Sequence, residues 1–227
     1  MRLTSLIKIL FCIVVCIQLQ SQNDSINIEN DNSKFKFLYD ESRQYLGSVS
    51  LSYQSPSSYG DNFIGKGFEG KDGFGFGFNV YVYKNFYVGL NYGFNNFDIV
   101  DKELIGNYKR TQIEERYFTL GYELLPLSKI RLGIYTSIGG GATLSNTSDS
   151  GFSNRDSGSL WSYGLRLEYE FIENLNFSVE YNWRQIKTNI KTPTEISSFF
   201  EKGTYRVLNF GLKFNFGRED LVDKVVL

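Results

Sequence analysis

The side chains with the greatest capacity for chemistry in this sequence are acids and bases that alternate with apolar or small residues. Glu168 and Glu170 are two residues apart, so an extended backbone would place both carboxylates on the same face. Two carboxylates can act as general acid and general base, but no recognisable nucleophile lies beside this pair. The sequence also contains no histidine, which removes the most common general base at neutral pH and the most common metal ligand. We therefore expect no catalytic residue, no metal site and no cofactor.

The amino terminus carries a targeting pattern. Arg2 opens the chain, an apolar stretch follows at residues 9–17, and the sequence then turns polar before the small residue Ser21. This order is typical of a secretory signal peptide, so we predict one at residues 1–21 with cleavage near Ser21. An uncleaved anchor helix is the alternative, but the apolar stretch is shorter than the roughly 20 residues that a membrane span needs.

Both cysteines, Cys12 and Cys16, lie inside the predicted signal peptide. Its cleavage would leave a mature chain without disulfides, thiol nucleophiles or thiolate metal ligands. A lipoprotein acylated at Cys16 is the competing interpretation. Residues 13–15 are Ile-Val-Val and lack the small residue that such processing favours, so we expect an exported protein without cysteine chemistry.

The overall composition indicates a β-rich chain with no preference for nucleic acid. The 24 lysines and arginines nearly balance the 25 acids, so no strongly basic surface is predicted. The chain is rich in Phe (20) and Tyr (16), which both favour strands. A mean hydropathy of -0.27 excludes a bundle of membrane helices.

The elements that must position the charged residues are strands. From Tyr45 onward, eight segments of about ten residues alternate between apolar residues on one parity and small or polar residues on the other. The predicted strands hold residues 45–53, 73–82, 86–95, 118–124, 130–138, 161–171, 175–184 and 208–216. Tight turns are predicted at 84–85, 125–129 and 172–174, and long loops at 55–72, 98–112, 145–159 and 187–203. This order predicts an all-β fold, an eight-stranded antiparallel up-and-down transmembrane β-barrel at residues 45–216.

The segments on either side of the barrel are predicted to be polar. Residues 22–44 are rich in Asn, Asp and Ser without periodicity, which indicates a solvated periplasmic leader. Residues 217–227 form a periplasmic tail, either disordered or a short docking peptide.

The direction of the apolar face distinguishes a membrane barrel from a soluble, lipocalin-like carrier. In a soluble carrier the apolar parity surrounds a ligand, whereas in a membrane barrel it faces lipid and the polar parity fills a narrow interior. Here the polar face is crowded with Gly and Ser, aromatic residues lie near strand ends, and long loops lie at one end only. These features favour the membrane barrel.

With the polar parity inward, four acids and four bases share the interior. The predicted network consists of Glu123, Arg131, Arg166, Glu168, Glu170, Glu180, Arg184 and Lys213. Hairpin register places Glu123 opposite Arg131 and Arg166 opposite Glu180. Charges withdrawn from water must be paired, and eight strands leave an interior that side chains just fill. We therefore predict a closed, salt-bridged lumen in preference to an ion pathway or a catalytic pair.

The last predicted strand carries the most specific motif. Asn209, Gly211, Phe214 and Phe216 give a polar residue, a glycine and two large apolar residues two apart. With this strand and its alternation, the chain resembles the small eight-stranded outer-membrane barrels of Gram-negative bacteria, the OmpX/OmpA-like class, and especially its Bacteroidetes-type members. The resemblance implies that the strand is an insertion signal for the barrel-assembly machinery and that the protein lies in the outer membrane. In many relatives the last aromatic residue ends the chain, whereas here residues 217–227 follow it.

Basic residues are expected near the rim at the long-loop end. Lys109 and Arg110 lie in a predicted loop, while Arg116 and Arg206 fall on the lipid-facing parity. Arg116 and Arg206 are therefore candidate contacts for lipopolysaccharide phosphates, with ordinary loop charge as the alternative. The expected partners are outer-membrane lipid and the assembly machinery, and the barrel itself is expected to be a monomer.

Three functions from different classes fit these observations. The first is a non-enzymatic barrel that displays extracellular loops for structural, adhesive or partner-binding roles. The second is an accessory subunit of an envelope secretion or gliding assembly, in which the tail would contribute. The third is a lipid-modifying outer-membrane enzyme, although the pattern that known enzymes of this kind share requires a histidine. We favour the first.

Overall fold

The alternation of apolar and small residues becomes eight antiparallel strands that close into a ring. The computed structural model describes residues 37–151, 153–190 and 192–226, so the predicted signal peptide and leader residues 22–36 lie outside the described residues. The strands are β1 (Gly47–Ser58), β2 (Phe68–Tyr83), β3 (Phe86–Ile99), β4 (Arg110–Leu127), β5 (Ile130–Thr147), β6 (Ser153–Ile172), β7 (Leu175–Thr188) and β8 (Lys202–Phe216). Each strand pairs with its neighbours in sequence, and β8 pairs with β1. The predicted up-and-down barrel is confirmed.

Two-residue turns join the strands at one end of the barrel. They are Lys84-Asn85, Ser128-Lys129 and Glu173-Asn174. Lys84 and Asn174 have positive φ angles of 50° and 65°, the left-handed backbone that such tight turns require. We call this the short-turn end of the barrel and the opposite end the long-loop end.

The strands reach further toward the long-loop end than the sequence predicts. The four loops there are residues 59–67, 100–109, 148–152 and 189–201, all shorter than expected. The predicted loop 145–159 is wrong for the most part, because β5 and β6 pair up to Thr147 and Ser153. Backbone hydrogen bonds between the strands continue here although the apolar alternation has ended. The alternation therefore does not predict these extensions.

Short helical segments decorate both ends. Phe63–Gly67, Lys102–Ile105 and Ser197–Glu201 lie in long-end loops, where a 3₁₀ turn also covers Thr194–Ile196. At the other end, a 3₁₀ turn at Glu41–Arg43 precedes β1 and the helix Leu221–Val226 follows β8. Within the described part of the chain, no helix is long and apolar enough to cross a membrane.

A band of exposed apolar side chains surrounds the middle of the barrel. On β6 it runs on alternate residues from Trp161 to Phe171. Ten residue steps of about 3.3 Å, tilted by about 40°, rise about 25 Å, which is the height of the apolar band of a membrane barrel. At its upper edge the rings of Trp161, Tyr163 and Trp183 pack in series with centroids 4.9 and 5.0 Å apart, as expected of an aromatic girdle.

The interior divides into two zones of opposite character. Next to the apolar band the inward residues are polar or charged, whereas toward the long-loop end most of them are apolar. The apolar zone consists of Phe63, Ile64, Phe68, Phe97, Ile99, Ile113, Tyr117, Ala142, Leu144, Leu160, Ile186, Tyr205 and Val207. Above the band the strands face water on the outside, so the hydrophobic effect draws their apolar side chains inward. This apolar zone was not predicted from the sequence.

Two β-bulges allow the inward parity to change between the zones. In β5, Ser137 pairs with Thr119 but Gly139 pairs with Phe118, so one extra residue lies between them. Ser137 points inward on one side of this bulge, and Ala142 and Leu144 point inward on the other. A second extra residue lies in β2 between Gly70 and Gly73. A bulge leaves one residue unpaired and so reverses the face of every residue beyond it.

Candidate functional site

Lys213 joins two carboxylates at the centre of the polar zone. Its Nζ lies 2.7 Å from Glu123 Oε1 and 2.7 Å from Glu168 Oε1, and all three side chains are about 1% exposed. Arg131 Nη1 lies 3.1 Å from the other oxygen of Glu123. The hydroxyl of Tyr81 donates a hydrogen bond to Glu123 over 2.8 Å. Two basic and two acidic side chains from four different strands thus neutralise one another in a single cluster.

Arg166 and Glu180 form a second pair. They lie opposite each other in the β6–β7 register, as predicted, and Arg166 Nε is 2.6 Å from Glu180 Oε2. Glu180 Oε1 accepts hydrogen bonds from the hydroxyl of Tyr135 at 2.7 Å and from the amide of Asn209 at 2.8 Å. A buried carboxylate with this many donors is fully compensated for its loss of water.

The third pair joins Arg184 to Glu115, a residue that the sequence analysis missed. Arg184 Nη1 donates to Glu115 Oε2, and both side chains are fully buried. Glu115 lies on the same parity as Thr119 and Glu123, so the signal was present. The predicted strand begins at Phe118 and so excludes Glu115, whereas β4 begins at Arg110.

Two predicted features of the network are wrong. Glu123 lies opposite Gly133, not opposite Arg131, because the irregular β4–β5 turn shifts the register. The two side chains still meet, since both are long enough to reach diagonally. Glu170 does not belong to the network: it accepts the Asn174 N–H at 2.9 Å and the Tyr45 hydroxyl at 3.4 Å in the short-turn end. The interior is balanced as expected, with Glu115 in the place of Glu170.

The polar zone leaves little free space. A cavity of about 30 Å³ lies among the inward side chains, including Ser50, Asn91 and Glu115. That volume holds one or two water molecules. Glycines make the tight filling possible: a Cβ on Gly121 would collide with the ring of Tyr87, and one on Gly164 with the ring of Tyr135.

An apolar stopper closes the long-loop end of the lumen. The short helix Phe63–Gly67 places Phe63 and Ile64 inside the barrel mouth, where both are buried. Asn62 fixes the helix, because its side chain accepts the Gly65 N–H at 3.0 Å and donates to Thr204 Oγ1 at 2.7 Å. Gly203 permits the close approach, since a Cβ there would collide with Ile64.

Residues 37–46 close the short-turn end, although the sequence predicted a solvated leader up to residue 44. Arg43 donates from Nη1 to the Leu127 carbonyl at 2.8 Å, and its own carbonyl accepts from Arg131 Nη2 at 2.6 Å. The Leu38 carbonyl accepts from Asn85 Nδ2 at 2.6 Å. Polar residues favour water in the absence of partners, but here the turns supply the partners. The contacts of Leu38, Arg43 and Gln44 with the turns were not predicted, whereas Phe37, Glu41 and Ser42 are exposed to solvent as a solvated leader would be.

Tyr45 also differs from its prediction. The sequence placed it on the lipid-facing side of the first strand, but β1 begins at Gly47 and the Tyr45 ring is buried. The guanidinium of Arg131 lies 4.6 Å from the ring centroid, a cation–π contact. Burial and the charge of neighbouring Arg131 lower the pKa of Arg43.

The residues of the predicted insertion motif lie on both faces of β8. Asn209 and Gly211 point inward, and a Cβ on Gly211 would crowd the Leu51 carbonyl and Ser178. Phe214 points outward, and Phe216 packs against Phe78 with ring centroids 6.3 Å apart. The role of the motif in membrane insertion stays a prediction.

The two rim arginines differ in their surroundings. Arg116 is exposed, and its Nη2 lies 2.5 Å from Glu114 Oε1. Arg206 is half-buried with its guanidinium 4.2 Å from the ring centroid of Tyr59. Both lie at the upper edge of the apolar band, as predicted, and their contact with lipopolysaccharide stays a prediction.

The tail contacts the short turns through Arg218, whose Nη2 lies 3.6 Å from Glu173 Oε1, and through Asp220. Asp220 is fully buried, and its Oδ2 accepts the Lys84 N–H at 2.5 Å. Its Oδ1 accepts the Asp223 N–H at 2.9 Å and so caps the helix Leu221–Val226. The helix exposes Leu221, Val222 and Val225. Residues 217–226 therefore adopt a defined structure at the short-turn end.

Comparisons with known proteins support the architecture. A family model described as "Outer membrane protein beta-barrel domain" matches residues 33–216. The chain is similar to the crystal structure of Neisserial surface protein A, with 10% identity, a TM-score of 0.53, and coverage of 75% of this chain and 96% of that one. The attachment invasion locus protein Ail of Yersinia pestis aligns with 12% identity and a TM-score of 0.48, covering 75% of this chain and 97% of that one. No curated protein sequence matches this chain significantly.

Proposed function

The chain belongs to the outer membrane protein beta-barrel domain family, found in the outer membrane of Gram-negative bacteria, and we propose that it is a closed, non-enzymatic barrel. Its long-loop end faces the exterior and serves structural, adhesive or partner-binding roles. The Bacteroidetes-type subclass and the signal peptide at residues 1–21 stay predictions.

The observation that carries this proposal is that the lumen is filled at three levels. Residues 37–46 lie across the short-turn end, the paired charges fill the middle, and Phe63 and Ile64 fill the long-loop end. A diffusing solute would have to break buried ion pairs and displace apolar side chains in the same passage. Each of these costs several kcal/mol, so the barrel is suited to support and display rather than to transport.

The tail supports a second role as an accessory subunit of an envelope assembly. The helix Leu221–Val226 presents Leu221, Val222 and Val225 to solvent beside the short turns. A partner on the periplasmic side would cover these residues. Nothing among the described residues favours the lipid-modifying enzyme.

Lipopolysaccharide remains part of the proposal as a lipid partner at the rim. Arg206 is the better candidate of the two arginines, because Arg116 is already paired with Glu114. An aromatic ring beneath the Arg206 guanidinium holds it at the height of the aromatic girdle, where a lipid phosphate would lie.

Heat-modifiability and conductance test the closed barrel together. We expect mature protein from outer-membrane fractions to migrate faster unboiled than boiled on a denaturing gel. In planar bilayers the same preparation should give no stable current steps. Reproducible channel steps would contradict the closed lumen, and a soluble protein with one boiling-independent band would contradict the membrane barrel.

A further inference from the structure

A cavity opens above the apolar stopper at the long-loop end. It measures about 470 Å³, within the range of roughly 300–1,000 Å³ that is typical of small-molecule sites. Its apolar side includes three phenylalanines: Phe63 from the stopper, Phe68 at the start of β2, and Phe200 from the β7–β8 loop. Tyr108 and three aliphatic side chains complete it. The rings of Phe63 and Phe200 are stacked with centroids 5.8 Å apart, and Phe63 meets Phe68 edge to face at 5.8 Å.

The polar side chains of the cavity lining, which we call its polar side, are three carboxamides and one carboxylate. Asn146 and Asn154 lie opposite each other in the β5–β6 register, and Asp156 follows two residues later on the same face. Asn189 comes directly after β7 and completes the polar side. The polar side thus combines three groups of the β5–β6 hairpin with one residue that follows β7.

The amide of Asn146 is held in a fixed orientation. Its Oδ1 accepts a hydrogen bond from Thr111 Oγ1 at 2.6 Å, and its Nδ2 lies 3.4 Å from Asp156 Oδ2. Asp156 has no lysine or arginine within ion-pair distance among residues 37–151, 153–190 and 192–226. The carboxylate is half-buried and keeps acceptor capacity for a ligand.

We propose that this cavity binds a neutral saccharide from outside the cell. Sugar hydroxyls donate and accept, which matches a mixture of carboxamides with one carboxylate, and the C–H face of a sugar ring packs on aromatic side chains. A phosphate or sulfate would be repelled by Asp156, and no described residue that lines the cavity is basic. A pure hydrocarbon would offer no hydrogen bond to the carboxamides of Asn154 and Asn189 or to the remaining acceptor capacity of Asp156. This inference rests on the proposed function for the direction in which the cavity opens.

Titration of simple sugars into the refolded barrel tests the site. The detergent must lack a sugar head group, so an amine oxide is suitable. Methyl α-glucoside, methyl α-mannoside, methyl α-galactoside and maltose are the probes, followed by saturation-transfer NMR and calorimetry. We expect saturable binding of at least one probe at millimolar concentration.

Variants of the polar side separate this site from adventitious binding. Asp156→Asn should weaken binding about tenfold or more, and Asn189→Ala about three- to tenfold, since each removes a hydrogen bond to the sugar. Glu195→Gln, at an exposed position of the β7–β8 loop outside the cavity lining, is the matched control and should bind as the unmodified protein does. Heat-modifiability of each variant verifies that it is folded.

Three outcomes would overturn the proposal. The first is no saturable binding of any probe, and the second is binding that both cavity variants leave unchanged. The third is preferential binding of tetramethylammonium, a cation that Asp156 and the aromatic rings would attract if the site were a cation site. A heat-modifiable, non-conducting barrel that binds no sugar would overturn the saccharide site and leave the proposed function in place. A conducting or soluble protein would instead overturn the proposed function.

Discussion

At the scale of single residues, the buried charges show why pairing matters more than number. Lys213 lies in the polar zone of the lumen, where its Nζ is 2.7 Å from a carboxylate oxygen of Glu123 and 2.7 Å from one of Glu168. Removal of one member of a buried ion pair leaves its partners charged and without compensation. Exposed pairs lack this sensitivity, because water solvates whichever charge remains.

We therefore expect Lys213→Met to lower the free energy of unfolding by about 3–5 kcal/mol. The matched control is Lys187→Met, whose ammonium group pairs with Glu201 at 3.4 Å but is 62% exposed. The control should change stability by less than about 1 kcal/mol. Urea unfolding of the refolded barrel, followed by the fluorescence of Trp161 and Trp183, measures both. Equal effects of the two variants would contradict the role of Lys213 as a buried bridge.

At the scale of elements, the β5 bulge is the device that lets one strand serve two environments. Between the short-turn end and the bulge, the inward residues of β5 have odd numbers, and the even-numbered Ile138 faces outward in the apolar band. Beyond the bulge, the even-numbered Leu144 faces inward in the apolar zone. If the same residues continued in regular alternation without a bulge, every even-numbered residue of β5 would face outward. Ala142 and Leu144 would then lie on the wrong side of the strand.

Insertion of one glycine after Gly139 should strongly destabilise the barrel although Gly139 itself packs against little. A Cβ at Gly139 would meet no atom within 4 Å, so the insertion point itself has room for another residue. With a single bulge retained, the added residue shifts the alternation by one and turns Ala142 and Leu144 outward, and loss of burial of a leucine alone costs about 1.5–3 kcal/mol. Insertion of one glycine after Gly151 in the β5–β6 loop is the control. Heat-modifiability and urea unfolding report the result, and equal stability of the two insertion variants would contradict the role of the bulge.

At the scale of the whole molecule, the two ends of the barrel have different tasks. The short-turn end is closed by residues 37–46 and carries the tail, whereas the long-loop end holds the stopper and the cavity. In the proposed orientation, the tail and residues 37–46 face the periplasm and the cavity faces the exterior.

Single cysteine labels test this orientation in intact cells. The two native cysteines lie in the predicted signal peptide, so a mature chain with one introduced cysteine has a unique thiol. We expect a membrane-impermeant maleimide to label Ser150→Cys in the β5–β6 loop and not Ser128→Cys in the β4–β5 turn. Both should react after the cells are lysed. The opposite labelling pattern would reverse the orientation.

The predictable part of this protein is the part that lies against lipid. Lipid requires an apolar residue at every second position of each strand, so β2, β3 and β7 could be read directly from their alternation. The same alternation assigned Glu123, Glu168 and Glu180 to the interior, and the short β6–β7 hairpin was sufficient to pair Arg166 with Glu180. Local periodicity and turn length contain this information, because strand pairing is local in an up-and-down barrel.

The sequence by itself thus determined the strand number, the closed ring and the inward or outward direction of most charges. Only the tertiary structure decided what lies above and below the apolar band. Glu115, the apolar stopper, residues 37–46 and the cavity at Asp156 all depend on contacts between residues that are distant in the chain. Beyond the lipid, water replaces hydrocarbon on the outside and the simple alternation loses its cause. There the fold depends on which side chains contact each other across the barrel. A sequence pattern of period two does not predict those contacts.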